Sequence, residues 1–187
     1  FRTSIVFSLG LLISPPATAN PKYASIIVEE SSGRVLYSRS ADKQLFPASL
    51  TKIMTLYLLF EALQNRRITL GTRMKVSKVA ASRSPSKLYL KPGQTITVEN
   101  AILALVTKSA NDVATVVSEH LGGNERNFAK KMTRKAKAIG MKRTIFKNAS
   151  GLPNQAQLST ARDMARLGIA IRRDFPQYFK YFNSTGF

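Results

Sequence analysis

Ser49 and Lys52 are the residues best placed for chemistry in this sequence. They stand three apart in Pro47-Ala48-Ser49-Leu50-Thr51-Lys52, at the head of the apolar run Ile53 to Leu63. On a helix, positions i and i+3 share a face, so a hydroxyl and an amine at this spacing can meet. A serine hydroxyl is a weak nucleophile until a base takes its proton. A lysine amine becomes such a base when burial lowers its pKa. The helix after Ser49 is apolar nearly all the way round, the mark of a core helix, and would desolvate Lys52. Pro47 and Ala48 leave little bulk at its entrance, so Ser49 can face a cleft. Backbone N–H groups and the positive dipole end at a helix N-terminus stabilise an alkoxide or oxyanion. The competing reading of Ser49 is a plain helix N-cap.

Ser109-Ala110-Asn111 is the second element. It falls between two predicted helices, where a short loop can turn side chains into a cleft. A second hydroxyl there could relay a proton to a leaving group. The Asn amide could position Lys52 and hold a substrate amide. Read locally, Ser109 serves equally well as a cap for the following helix. The conjunction with Ser49 and Lys52 favours chemistry.

The positioning elements follow from pattern and punctuation. Ala24–Glu29 and Arg34–Ser38 read as strands joined through Ser31-Ser32-Gly33, a β-hairpin. The Ser49 helix should end near Asn65-Arg66. Residues 68–76 read as extended, and 77–81 as a short helix. Turn signals at Ser84-Pro85-Ser86 and Lys91-Pro92-Gly93 bracket Leu88-Tyr89-Leu90. Thr97 caps a helix to about Val106. Another runs from about Asp112 to His120 and stops at Gly122-Gly123. Asn124 to Ile139 is amphipathic, with Phe128, Met132, Ala136 and Ile139 inward and Gly140 at the C-cap. Thr144-Ile145-Phe146 is a short extended piece. Thr160 and Asp163 stand at capping-box spacing before a helix to about Arg173. Phe175–Phe182 forms one more short helix.

Composition narrows the chemistry. The 187 residues contain no Cys, which excludes disulfides, thiolate zinc sites and a Cys nucleophile. The single His120 makes a Ser-His-Asp triad or a two-His zinc site a poor fit, so hydrolytic chemistry needs another base. Twenty-nine Lys and Arg against ten Asp and Glu give +19, which favours anionic partners: nucleic acid, an anionic membrane face or an acidic polymer. Residues 1–19 read as a secretory signal: Arg2, an apolar core from Ile5 to Ile13 too short to span a bilayer, a Pro break, and Ala17-Thr18-Ala19 as cleavage site. That leaves residues 20–187 as one domain outside the cytoplasm, in the periplasm. The leader and the absence of a nucleic-acid motif argue against nucleic acid as partner.

With these residues in view, the chain resembles the low-molecular-weight penicillin-interacting serine D-alanyl-D-alanine carboxypeptidases. Phe46 to Lys52 looks like their S-x-x-K element, and Ser109-Ala110-Asn111 like their S-x-N element. Lys87 to Gln94, Asn148 to Pro153 and Ser159 to Met164 add supporting matches in the right order. The resemblance implies an α+β, β-lactamase/transpeptidase-like fold: a helical region beside an antiparallel sheet, with the serine at their junction. It implies that Ser49 attacks the penultimate D-Ala carbonyl of a peptidoglycan stem peptide with Lys52 as general base. Ser109 would return the proton, and Asn111 would bind substrate and orient Lys52. β-Lactam antibiotics would acylate the same serine. No metal or organic cofactor is implied.

The family's third element, Lys-Thr-Gly on a later strand, does not occur in these residues. Ser184-Thr185-Gly186 is the nearest string and lacks the cation. The expectation is therefore a fragment with impaired activity, ending before the later sheet strands and before any C-terminal membrane-associating region, with its hairpin edge unpaired. A class A β-lactamase is the enzymatic rival. Ala110 in place of Asp argues against it, and Glu119 and Glu125, the glutamates after Asn111, read as surface residues at helix ends. A non-catalytic remnant is the rival of another class.

Overall fold

The computed structural model describes residues 23–186; the expected leader at residues 1–19 lies outside the described residues. Strand alternation and turn chemistry produce the hairpin. β1 (Ser25–Val28) runs antiparallel to β2 (Val35–Arg39), with Ile26 opposite Ser38 and Ile27 opposite Tyr37. Gly33 takes the left-handed turn position at φ 71°, which a side chain would oppose. β2 is exposed along its whole length, and Ile27, Leu36 and Tyr37 project apolar surface to solvent.

A single 3₁₀ turn, Ala48–Leu50, leads into α1 (Thr51–Gln64). Ser49 is thus on the turn before the helix rather than in its first turn. Neither Pro47 nor Leu50, the residues at the two helix starts, makes a side-chain cap bond, so Ser49 is not the N-cap of α1. The helix itself is the core element the sequence indicates: Met54, Leu59, Phe60 and Ala62 have no exposure at all. It also buries a polar set, Thr51, Lys52 and Thr55, which the apolar reading of the helix obscures.

After α1 the chain makes a second, smaller ladder. β3 (Arg73–Lys75) pairs antiparallel with β4 (Thr95–Thr97), Met74 facing Ile96. The extended character of 68–76 is confirmed only over three residues. The partner strand was hidden in sequence because Thr95-Ile96-Thr97 is short and doubles as the approach to a helix cap. α2 (Lys78–Ala81) is capped by Ser77. α3 (Val98–Thr107) is capped by Thr97, whose hydroxyl accepts from Asn100 N. α4 (Asn111–Gly122) ends on Gly123 at φ 75°.

α5 (Glu125–Ala138) starts at Asn124, whose side chain accepts from Asn127 N. Its inner face, Phe128, Ala129, Met132 and Ala136, is buried. α6 (Ala161–Asp174) begins at the Thr160 cap, whose hydroxyl accepts from Asp163 N. A 3₁₀ helix, Pro176–Asn183, follows, and Ser184-Thr185-Gly186 lies in the coil beyond it.

The architecture is α+β: helices gathered around α1, with two short antiparallel ladders at the periphery. The last turns are held to α1 by aromatic packing. Phe60 meets Tyr178 in a stack at 5.1 Å and Phe175 edge-on at 6.0 Å. Tyr57 meets Phe175 edge-on at 4.9 Å and donates its hydroxyl to Asp174 at 2.6 Å. Truncating a fully buried Phe removes its transfer energy and leaves a cavity. Phe60→Ala should therefore lower the unfolding free energy by about 3–5 kcal/mol, read as a shift of the urea midpoint against wild type.

Candidate active site

Lys52 is where the elements converge. It is 3% exposed. Its Nζ donates to Asn111 Oδ1 at 2.8 Å and to the Ser150 carbonyl at 2.6 Å. The residues either side on the same helix face grip the same loop: Thr55 Oγ1 donates to the Ala149 carbonyl at 2.7 Å, and Gln157 Nε2 donates to Thr51 Oγ1 at 3.4 Å. The buried polar set of α1 is therefore a seam against residues 148–157. Burial lowers the Lys52 pKa from 10.5 to about 8, because desolvation disfavours the ammonium form. At pH 7 about one amine in ten is then neutral.

Asn111 sits at the first residue of α4 and is itself buried. Its amide is used on both sides. Oδ1 accepts from Lys52, while Nδ2 donates to the Ser84 carbonyl at 2.9 Å and the Pro85 carbonyl at 3.1 Å. Its backbone N–H donates to the Ser86 carbonyl at 2.7 Å. Both amide donors are thus engaged within the protein, while Oδ1 meets Lys52. Next to it, the buried Asp112 carboxylate accepts from the backbone N–H of Leu88, Leu90 and Val113. The segment 84–90 is thereby strapped to the start of α4.

The two hydroxyls stand apart from this network. Ser49 is exposed and Ser109 half-buried, and neither side chain hydrogen-bonds another described residue. Ser49 precedes Lys52 by one turn at the α1 entrance. Ser109 precedes Asn111 by two residues at φ 51°. The N-cap position of α4 is Ala110, with no side-chain cap, so Ser109 is not the helix cap that its local sequence would permit.

Residues that sequence patterning passed over complete the arrangement. Asn148 organises its own loop: Oδ1 accepts from Ser150 N and Gly151 N, and Nδ2 donates to the Leu152 carbonyl. Gly151, at φ 89°, lies against the Ser49 turn so closely that a Cβ would fall 1.8 Å from the Ala48 carbonyl oxygen. In sequence, Asn148 to Pro153 matched the family and Ser-Gly-Leu-Pro marked a bend, but neither named a partner. Glu125 and Glu119 also differ from the surface role expected of them. Glu125 is half-buried, ion-paired to Arg83, and accepts from Ala149 N at 3.1 Å. Glu119 accepts the Ser77 hydroxyl at 2.9 Å. Neither bonds Lys52. His120 is exposed in the last turn of α4. Among the described residues no group of three His, Cys, Asp or Glu is arranged to hold a metal ion.

Two glycine substitutions separate backbone strain from collision. Gly33 and Gly151 share a positive φ, but a Cβ at Gly33 meets nothing within 4 Å. Gly33→Ala should cost about 1–2 kcal/mol, the left-handed penalty alone. Gly151→Ala must in addition push the loop off the Ala48–Ser49 peptide, and should lower the urea midpoint by clearly more than its counterpart. Equal midpoints would contradict this packing.

Comparison with known proteins gives the same arrangement a wider setting. Residues 14–186 match the peptidase S11 family, D-alanyl-D-alanine carboxypeptidase. D-alanyl-D-alanine carboxypeptidase DacF of Bacillus subtilis is 38% identical over 147 residues, covering 79% of this chain and 38% of the relative. The crystal structure of DacD from Francisella tularensis superposes with a TM-score of 0.85 at 32% identity, over 95% of this chain and 43% of that one. Penicillin-binding protein D2 of Listeria monocytogenes, solved in an ampicillin-bound form, gives 0.77 at 30% identity, over 86% and 65%. The chain spans about two-fifths of the length of the curated relatives it matches. With a family match running over residues 14–186 and the fold shared with these solved structures, this chain belongs to the peptidase S11 family of D-alanyl-D-alanine carboxypeptidases.

Proposed function

We propose that the chain carries the acylating half-site of a serine D-Ala-D-Ala carboxypeptidase. The observation that supports this most directly is the state of Lys52: buried, its pKa brought down to about 8, and held by two acceptors one turn from an exposed serine. A neutral amine has two N–H donors and one lone pair. With both donors given to Asn111 Oδ1 and the Ser150 carbonyl, the lone pair is the remaining function of the nitrogen. It can accept the Ser49 proton.

The reaction then runs as follows. Ser49 Oγ attacks the carbonyl of the penultimate D-Ala of a peptidoglycan stem peptide as its proton passes to Lys52. The tetrahedral oxyanion forms beside the N-terminus of α1, whose dipole favours negative charge. Collapse breaks the peptide bond, and the terminal D-Ala amine leaves with a proton returned from Lys52 by way of the Ser109 hydroxyl. Water hydrolyses the ester left on Ser49, restoring the serine and releasing the shortened peptide. A β-lactam would enter the same first step, its strained amide opening onto Ser49. Asn111 acts in this scheme as the positioning residue for the amine. A peptidoglycan substrate and the leader expected at residues 1–19 support a site of action outside the cytoplasm, in the periplasm, as part of the same proposal. Among the described residues no helix is long and apolar enough to cross a membrane.

The test is covalent labelling with a fluorescent penicillin. A labelled band should appear with the native chain and vanish in Ser49→Ala; no label, or label that survives that change, defeats the proposal. The initial labelling rate should rise about tenfold per pH unit below pH 8 and level off above it, because only neutral Lys52 accepts the proton. Asn111→Ala removes one of the two acceptors and should slow labelling by about 10²-fold, while Asn111→Asp should move the inflection to higher pH by placing a carboxylate on the amine.

A further inference from the structure

The charge of +19 is not spread evenly, and the catalytic lysine accounts for none of its concentration. α5 carries Arg126, Lys130, Arg134 and Lys137 at spacings of four, four and three, which line up on one helical face. All four are exposed, and none has an acidic partner among the described residues. α5 contributes a single acid, Glu125, and Arg83 already occupies it. Glu61, the acid that α1 presents to this region, is paired with Lys135. The stripe spans 12 residues, about 16 Å, with a cation about every 6 Å.

Grooves flank the stripe on both sides. One, of about 500 Å³, is bordered by Arg126, Lys130, Arg134 and Lys137 on the helix and by Lys147 across from them. The other, of about 320 Å³, takes Arg134 from the same stripe and adds Arg67 and Lys131, beside the paired Glu61–Lys135 and an apolar floor of Leu58, Leu121 and Phe128. Arg134 therefore borders both grooves. No large apolar side chain projects from the outer face of α5, where an interfacial helix would need one to enter a bilayer. No exposed aromatic ring borders the stripe, so there is no platform for stacking bases. Charge in line along two grooves, with Ile145 the one exposed large apolar side chain on their borders among the described residues and the rings of Phe128 and Phe146 buried, fits the backbone of an extended anionic polymer.

We propose that the α5 face is a docking site for a linear phosphodiester polymer without bases, bound through its phosphates by Arg126, Lys130, Arg134 and Lys137. The site is separate from Ser49, yet adjacent in the fold. Lys147, on the far wall of the larger groove, lies three residues before Ser150, whose carbonyl holds Lys52. A polymer in this groove would hold the protein, site and all, close to an anionic wall matrix.

The test uses end-labelled poly(glycerol phosphate), followed by fluorescence anisotropy between 50 and 200 mM salt. Four phosphate contacts give a log–log salt slope of about −2.8, so affinity should fall about 50-fold over that range. The variant Arg126→Gln/Lys130→Gln/Arg134→Gln/Lys137→Gln should lose binding and most of the slope. The control Arg73→Gln/Lys75→Gln/Lys78→Gln/Lys91→Gln removes the same charge elsewhere and should bind as wild type; circular dichroism checks that both variants fold. Equal loss in both variants would reduce the effect to bulk charge and overturn the proposal. Tighter binding, at matched phosphate, to phosphatidylglycerol vesicles or to a single-stranded oligonucleotide would overturn it too. Ser49→Ala should leave polymer binding unchanged, so this result stands or falls apart from penicillin labelling.

Discussion

The buried amine of Lys52 is the constraint on which the rest of the structure depends. Removing an ammonium group from water costs several kcal/mol unless acceptors meet it. A drop in pKa from 10.5 to about 8 corresponds to about 3 kcal/mol of disfavour for the charged form. Two acceptors from distant parts of the chain limit that cost, Asn111 Oδ1 from the start of α4 and the Ser150 carbonyl from the loop after α5. Each is itself fixed. The Asn111 amide is clamped by the carbonyls of Ser84 and Pro85, and the Ser150 loop is folded around Asn148 and pressed onto the Ser49 turn at Gly151. Strap, helix start and loop thus converge on one nitrogen and fix its position within the protein.

The protein treats its cations in two opposite ways. Lys52 is desolvated, and its proton becomes labile. The cations on the outer face of α5 stay in water and accumulate along a ridge with few acids to neutralise them. One role needs a low local dielectric and the other a high one, and α1 and α5 supply these environments from adjacent positions. The link between them is short. Glu125 at the head of α5 receives Ala149 N, and Lys135 near its tail pairs with Glu61 of α1. The basic helix is therefore braced at both ends against the helix and the loop that carry the candidate chemistry.

Much of this was legible in the sequence, because it depends on local chemistry. Ser77, Thr97, Asn124 and Thr160 cap helices where a short side-chain acceptor precedes an apolar period, and Gly33, Gly123 and Gly140 sit at positive φ where turns and helix ends require them. The apolar run after Lys52 identified the central helix, and the family resemblance named Ser49, Lys52, Ser109 and Asn111 together. Tertiary structure decided what those residues do to one another. Ser49 lies on a 3₁₀ turn rather than in α1, with Gly151 packed against the peptide that precedes it. Asn111 spends both amide donors on the 84–86 strap. Thr51 and Thr55 turn out to be a polar seam, and Glu125 a brace. Each of these outcomes depends on a partner between about 25 and 110 residues away. A local pattern reports the preferences of its own backbone and the face it buries; it carries no record of which distant carbonyl will arrive to accept a proton.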